Sequence, residues 1–195
     1  MNYDLFIFLI FSYICGSIPF GILISWIFKK TDPRYFGSKN IGATNVLRSS
    51  GWKLGSMTLF FDIFKGFLPV KLTLILNQDY LGLVIVFVIL GHIFPIWLKF
   101  QGGKGVATFI GVLMGYNLFF FLIFTLSWII TALLFKYSSL SAIIATIINL
   151  LFILKFDDNF FYFGFVSLMI LAKHSHNFNR LINGQESKII IKKKN

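Results

Sequence analysis

Charge is scarce in this chain. Only 13% of the residues are Asp, Glu, Lys or Arg, against 57% hydrophobic and 19% aromatic, so a water-facing surface cannot be assembled from it. Acids are scarcest of all: seven Asp and Glu stand beside 18 Lys and Arg, a formal net charge of +11. That imbalance would suit a nucleic acid, but the cations sit in short stretches between apolar runs, where orientation signals and anionic headgroups account for them. No nucleic-acid partner is expected. The single cysteine, Cys15, lies inside the first apolar run, which excludes a disulfide framework and a thiolate metal site. That run, residues 5–28, lacks a basic n-region and a small-residue cleavage pattern and is read as a retained helix. There is no length left for a separate soluble domain, so residues 1–195 are read as one membrane-embedded domain.

A bilayer span needs roughly 20 apolar residues. Runs at 3–27, 54–76, 80–98, 138–154 and 159–173 serve as candidates. Residues 106–135 are long for one tilted helix and short for two, with a candidate turn at Gly115, Tyr116 and Asn117. Charge decides between the two. With two helices there, the segments at 29–53, 99–104 and 136 and the tail after 173 share one side, together with nearly all Lys and Arg. The other side holds Asp4, Asp79, Asp157 and Asp158 with only Lys155, the asymmetry of the positive-inside rule. One long helix would instead send Arg180 and the terminal Lys192, Lys193 and Lys194 outside. The expectation is an all-α polytopic protein with seven transmembrane helices, N-terminus outside and C-terminus cytoplasmic.

Three polar segments fall on the cytoplasmic side. The loop at 31–48 combines Gly37 and Gly42 with Ser38, Asn40, Thr44, Asn45 and Arg48, an inventory for binding anions through backbone N–H groups, amides and a bidentate cation. An ordinary polar connector with Arg48 as an orientation signal is the plain alternative. The stretch 91–105 ends in Gly102, Gly103, Lys104 and Gly105 just before the next helix. Flexible backbone at a helix N-terminus suits phosphate or an oxyanion; a glycine-rich turn with a snorkelling lysine is the alternative. It is not a Walker A loop, since Gly105 stands where Ser or Thr would hold magnesium. The third segment, 173–186, places His174, Asn177 and Leu181 on one face if helical, with Arg180 close by. His174 and His176, two apart, point away from each other and make a poor metal pair. Ser138, Ser139 and Ser141 open the sixth span and read most simply as helix capping. Within the apolar layer, Asp62 and Lys65 stand i and i+3 and can pair, while Gly16, Ser17 and Gly21 form a narrow packing stripe.

Three segments that each join Gly or Asn to a strong cation suggest more than one phosphate to be held, next to lipid. No Asp follows His92, His174 or His176 by five residues, so a His-x4-Asp acyltransferase arrangement is absent. A small transporter of phosphorylated or other anionic solutes is the competing class, but its site would lie near the midplane and its halves would repeat.

At 16–21 (GSIPFG), 37–48 (GSKNIGATNVLR), 62–66 (DIFKG), 91–95 (GHIFP), 102–108 (GGKGVAT) and the pattern of His174, Asn177, Arg180, Leu181, Gly184 and Glu186, the chain resembles the bacterial acyl-phosphate:glycerol-3-phosphate acyltransferases. The motifs occur in order over nearly the whole length. Lys39 departs from the Gly of many relatives. The resemblance implies a seven-helix enzyme of the bacterial inner membrane, active on its cytoplasmic face, that moves an acyl group from acyl phosphate to the 1-hydroxyl of sn-glycerol 3-phosphate. It implies no cofactor or metal, a monomer among membrane lipids, and lysophosphatidate and phosphate as products. Carried over by motif, Ser38, Asn40, Asn45, Arg48, Lys104, Ser139, His174 and Asn177 would line the site, with Ser38, Arg48, Lys104, His174 and Asn177 catalytic and Asn40, Asn45 and Ser139 binding substrate, to which charge and backbone chemistry add Gly102, Gly103 and Arg180. On chemical grounds Ser38 and the Gly102–Gly103 backbone would donate to the oxyanion; His174 would orient glycerol phosphate or act as base.

Overall fold

The computed structural model of the chain describes residues 3–189. Lys192, Lys193 and Lys194 lie outside the described residues. Ten α-helices and three single 3-10 turns make up the described chain, with no strand among the described residues. The first apolar run is two helices, α1 (Tyr3–Ser17) and α2 (Phe20–Ile27), which meet at 47°. The break falls at Ile18 and Pro19, because proline supplies no N–H to the helical ladder and its ring crowds the preceding turn. Lys65 repairs it. The buried pair expected from spacing forms, with Lys65 Nζ 2.7 Å from Asp62 Oδ1, and the same ammonium donates at 2.7 Å to the Ile18 carbonyl, which also accepts the Phe20 N–H at 3.1 Å.

The segment at 31–48, read as a loop, is partly helical: α3 spans Ala43–Ser50 after a 3-10 turn at Pro33–Tyr35. Tertiary packing makes the helix, since Val46 is buried with Ile24 and Leu54. Then follow α4 (Trp52–Leu76), α5 (Leu81–Ile93), α6 (Val106–Tyr116), α7 (Leu118–Phe135), α8 (Ser138–Phe156), α9 (Phe160–Ala172) and α10 (Ser175–Ile182). The ambiguous stretch at 106–135 is two helices. Asn117 between them is extended, and its Oδ1 accepts the Phe119 N–H at 2.9 Å to cap α7.

The stretch Gln78–Leu98 around α5, and α7 and α8, are each long and apolar enough to cross a membrane, and the bent α1–α2 pair together makes a fourth such span. The 25-residue α4 carries Lys53, Asp62, Lys65 and Lys71 along an otherwise apolar length. α6 and α9, with 11 and 13 residues, measure only about 16 and 20 Å at the helical rise, short of a hydrocarbon layer of ~30 Å.

α5 occupies the centre, against α1, α4, α6 and α9, with Val84, Ile85, Val88, Ile89 and Ile93 fully buried. α7 lies at the edge and exposes Ile130, Leu133 and Leu134, as the outer faces of other helices expose Trp26, Ile75 and Phe161. Lipid is as apolar as these side chains, so the helices are held together by close packing rather than by escape from solvent. α1 and α5 show how: Gly16 lies against the Val88 carbonyl and Gly91 against the Tyr13 carbonyl, each too close to admit a Cβ.

Candidate active site

The first turns of four helices line one cavity of about 480 Å³: Ala43 and Thr44 of α3, Val106 and Ala107 of α6, Ser138 and Ser139 of α8, and Asn177 of α10 with His174 at its cap. First-turn N–H groups have no partner within their own helix, and aligned peptide dipoles leave that end positive. Four such ends around one space suit an anion before any side chain is counted. Thr44 Oγ1 and Ser138 Oγ, 3.1 Å apart, tie two of them together. The hydroxyl capping expected of Ser138, Ser139 and Ser141 does not occur, because the N-terminus of α8 carries no side-chain cap and its hydroxyls bond elsewhere.

Two cations complete the site. Lys104, in the turn before α6, donates to Asn177 Oδ1. Burial lowers its ammonium to about 8, with Glu186 opposing the shift and Arg180 and Arg48 adding to it. Arg48, near the end of α3, donates to the carbonyls of Ser187 at 2.9 Å and Lys188 at 3.3 Å, and so straps the chain after α10 across the cavity. His174 donates from Nδ1 to the Ile170 carbonyl at 2.8 Å, since a carbonyl only accepts; Nε2 is therefore the bare nitrogen. Burial, with Lys104 adding, lowers this imidazole to about 4, so it is neutral at pH 7.

Glu186 was not among the expected site residues, yet it organises this end of the protein. Its carboxylate accepts from Ser139 Oγ and Asn177 Nδ2, both at 2.9 Å, and from Arg180 Nε at 2.7 Å. Burial pushes the carboxyl up, but the bonds from Arg180, Asn177 and Ser139 outweigh it and hold the group below the usual carboxylate range. A lone acid in a polar tail gives little sign of this; the Gly184 and Glu186 pair in the motif was the available signal.

Ser38, Asn40, Arg48, Lys104, Ser139, His174 and Asn177 all line the cavity. Asn45, Gly102, Gly103, Arg180 and Asn177 meet partners within the protein. Asn45 touches the wall, but its Nδ2 is shared among the carbonyls of Pro33, Phe36 and Asn40 at 2.8 to 3.0 Å and its Oδ1 accepts the Ser38 N–H at 3.2 Å. It shapes the turn that presents Ser38. The N–H groups of Gly102 and Gly103 bond to the Ile93 and His92 carbonyls at 3.1 and 3.0 Å, which leaves neither for an oxyanion. Arg180 does not line the cavity and reaches it only through Glu186. Asn177, with its amide engaged by Lys104 and Glu186, positions that lysine.

Away from the cations the cavity turns apolar, between Ile63 of α4, Ile110 of α6, and Phe121, Trp128 and Ile129 of α7. Ile129 and Leu59, which also line it, are exposed. Among the described residues, no three His, Cys, Asp or Glu side chains gather to hold a metal ion.

Fold and site together define a class: an all-helical integral membrane protein with one cavity lined by cations and helix N-termini at one end and by apolar side chains at the other. The glycerol-3-phosphate acyltransferase family profile matches residues 6–184, and the chain belongs to that family. A relative from Pelagibacter ubique (strain HTCC1062), named glycerol-3-phosphate acyltransferase, is 44% identical over 178 residues, 91% of this chain and 93% of its own. The protein of the same name from Francisella tularensis subsp. holarctica (strain OSU18) is 45% identical over 193 residues, 97% and 95% of the two chains. The crystal structure of PlsY (YgiH), an integral membrane glycerol 3-phosphate acyltransferase in its glycerol 3-phosphate form, matches with a TM-score of 0.91 at 36% identity, over 95% of each chain. Its lysophosphatidic acid form gives 0.88 at 35%. The family expected from the motifs is the one found.

Proposed function

We propose that the chain transfers an acyl group from acyl phosphate to the 1-hydroxyl of sn-glycerol 3-phosphate, releasing lysophosphatidate and phosphate for phospholipid synthesis. The carrying observation is that one cavity joins two partly buried cations, Arg48 and Lys104, to an apolar branch walled by α4, α6 and α7. The names of the relatives supply the acceptor; the paired phosphate-binding groups favour a phosphorylated donor as well. The chain works as a monomer among membrane lipids, without cofactor or metal. It crosses the bacterial inner membrane seven times, N-terminus outside, with the site facing the cytoplasm, as its lysine-rich segments favour. The shortness of α6 then sinks its N-terminus and Lys104 to the margin of the hydrocarbon.

Acyl phosphate is already activated, so orientation and charge stabilisation carry the reaction. The glycerol hydroxyl oxygen bonds to the acyl carbon, the carbon–oxygen bond to phosphate breaks, and the phosphate leaves with that electron pair. Arg48 and Lys104 hold the phosphates apart from one another. Ser38 and the first-turn N–H groups of α6 face the developing oxyanion, in place of those of Gly102 and Gly103. At about 4 the His174 imidazole is a weaker base than a phosphate monoester dianion, whose conjugate acid has a pKa of about 6, and the phosphate that departs with the bonding pair is more basic still. The hydroxyl proton therefore ends on the departing phosphate, and His174 Nε2 only orients the hydroxyl.

The test supplies purified protein in lipid with glycerol 3-phosphate and either acyl phosphate or acyl-CoA, following lysophosphatidate and phosphate. Product is expected from acyl phosphate. Product from acyl-CoA alone overturns the donor, and no product from folded protein overturns the reading. The pH profile gives a second check. His174 becomes charged only below about 4 and Lys104 loses its charge above about 8. After correction for substrate ionisation, kcat/KM is expected to stay level from about pH 5 to 7 and fall above about 8. Lys104→Arg, charged throughout, moves the falling limb upward; an unmoved limb removes Lys104 from it.

A further inference from the structure

His92, at the last turn of α5, has no part in the chemistry above, yet it is buried and lines the cavity. Three contacts bind it to the turn that carries Lys104. Its carbonyl accepts the Gly103 N–H at 3.0 Å. Its Nδ1 lies 3.0 Å from Thr108 Oγ1, in the first turn of α6, which fixes the ring between the two helices. The face of Gly103 lies directly on the ring: a Cβ there would meet Nε2, Cε1 and Cδ2 and no other atom so closely. Gly102 differs in kind. A Cβ there would strike the His92 and Ile93 carbonyls, which belong to the backbone, and Pro95 Cδ.

From this geometry we infer that His92 is a positioning residue for substrate phosphate: its Thr108-anchored imidazole is the surface on which Gly103 rests, and it thereby sets where Lys104 Nζ stands. The inference rests on the acylation reading, with Lys104 as a phosphate ligand. A ring that sets the path of the turn acts on binding more than on turnover. Glycine is required at 103 only because the ring is there, whereas at 102 backbone requires it whatever occupies position 92.

The experiment compares Gly103→Ala and Gly102→Ala in the native and His92→Ala backgrounds. Glycerol 3-phosphate binding is followed by ligand-induced thermal stabilisation, and KM and kcat by acylation. In the native background Gly103→Ala is expected to raise the glycerol 3-phosphate KM about tenfold or more, and in the His92→Ala background by about twofold or less. Gly102→Ala is expected to cost about the same in both. His92→Ala alone and Thr108→Val are expected to raise KM several-fold with kcat within about threefold of native, and Thr108→Ser to restore it. His92→Asn, with a side chain too short to reach where Nε2 stands, replaces His92→Ala if that variant does not fold. An equal cost of Gly103→Ala in both backgrounds overturns the inference, as does a His92→Ala whose loss falls on kcat with KM unchanged. Native protein that neither binds nor acylates glycerol 3-phosphate would overturn the functional reading itself, a result separable from the other two.

Discussion

Lys104→Ala is expected to lower kcat/KM about a thousandfold while leaving the protein folded. A unit charge about 4 Å from a phosphate oxygen at an effective dielectric of 20 is worth about 4 kcal/mol, and about 1.4 kcal/mol corresponds to each factor of ten in rate. The side chain reaches the cavity from a turn rather than from a packed helix face, and its protein partner is the Asn177 amide. Removing it therefore leaves no buried ion unpaired. Lys104→Met, which keeps the stem and removes the charge, is expected to match Lys104→Ala. Lys104→Arg, which keeps the charge in a longer planar group, is expected to retain about a tenth of native activity. Initial rates in lipid nanodiscs, with folding checked by thermal melting, measure all three. A Lys104→Met enzyme within about tenfold of native would take the phosphate-holding role away from this residue.

Which parts of this arrangement were legible in the chain follows a physical line. Apolar runs and cation placement led to the long helices and to the break at 115–117, because hydrophobic length and turn chemistry are local properties, whereas the first run was read as one helix through the break at Ile18 and Pro19. The groups that touch the cavity, among them Arg48, Lys104 and His174, were legible because a cation beside a glycine-rich turn suits an anion and because the motifs that hold them match a known family, which weighed against orientation and snorkelling as their whole use. The helix α3 was not. Its residues Ala43 to Ser50 have modest helical propensity and acquire a helix by laying Val46 against Ile24 and Leu54, a contact that no local window contains. Asn45, Gly102 and Gly103 were assigned to substrate because an amide or a free N–H can serve substrate and backbone alike. Which it serves depends on the carbonyls that tertiary folding brings close, from Pro33 and Phe36 in one case and from His92 and Ile93 in the other.

Glu186→Ala is expected to lower Tm by about 5 °C and to reduce activity at least a hundredfold, the second large effect and one that arises through architecture rather than contact with reacting atoms. The carboxylate joins α8 to α10: Ser139 Oγ from the first, Asn177 Nδ2 and Arg180 Nε from the second, across 47 residues of chain. Its side chain is 6% exposed while that of Arg180 is 37% exposed, so the pair stands between a fully buried bridge and a surface one. Loss of a fully buried partner costs about 3–5 kcal/mol and of a surface one about 1 kcal/mol or less. A cost of about 2 kcal/mol follows, most of it from donors left without an acceptor. The same substitution removes the negative charge that opposes the lowering of Lys104, so the lysine is expected to discharge at a lower pH and the upper limb of the pH profile to move down. The sign of the stability effect is set by the depressed carboxyl. Glu186 contributes fully above its unfolded value, and its contribution is lost as pH falls through the folded one, so the difference between variant and native melting is expected to vanish in acid. Arg180→Ala added to Glu186→Ala removes the orphaned cation and is expected to cost nothing further, because the partners couple. Melting of Glu186→Ala within about 1 °C of native at neutral pH would mean that α10 is held on the bundle by its packing alone.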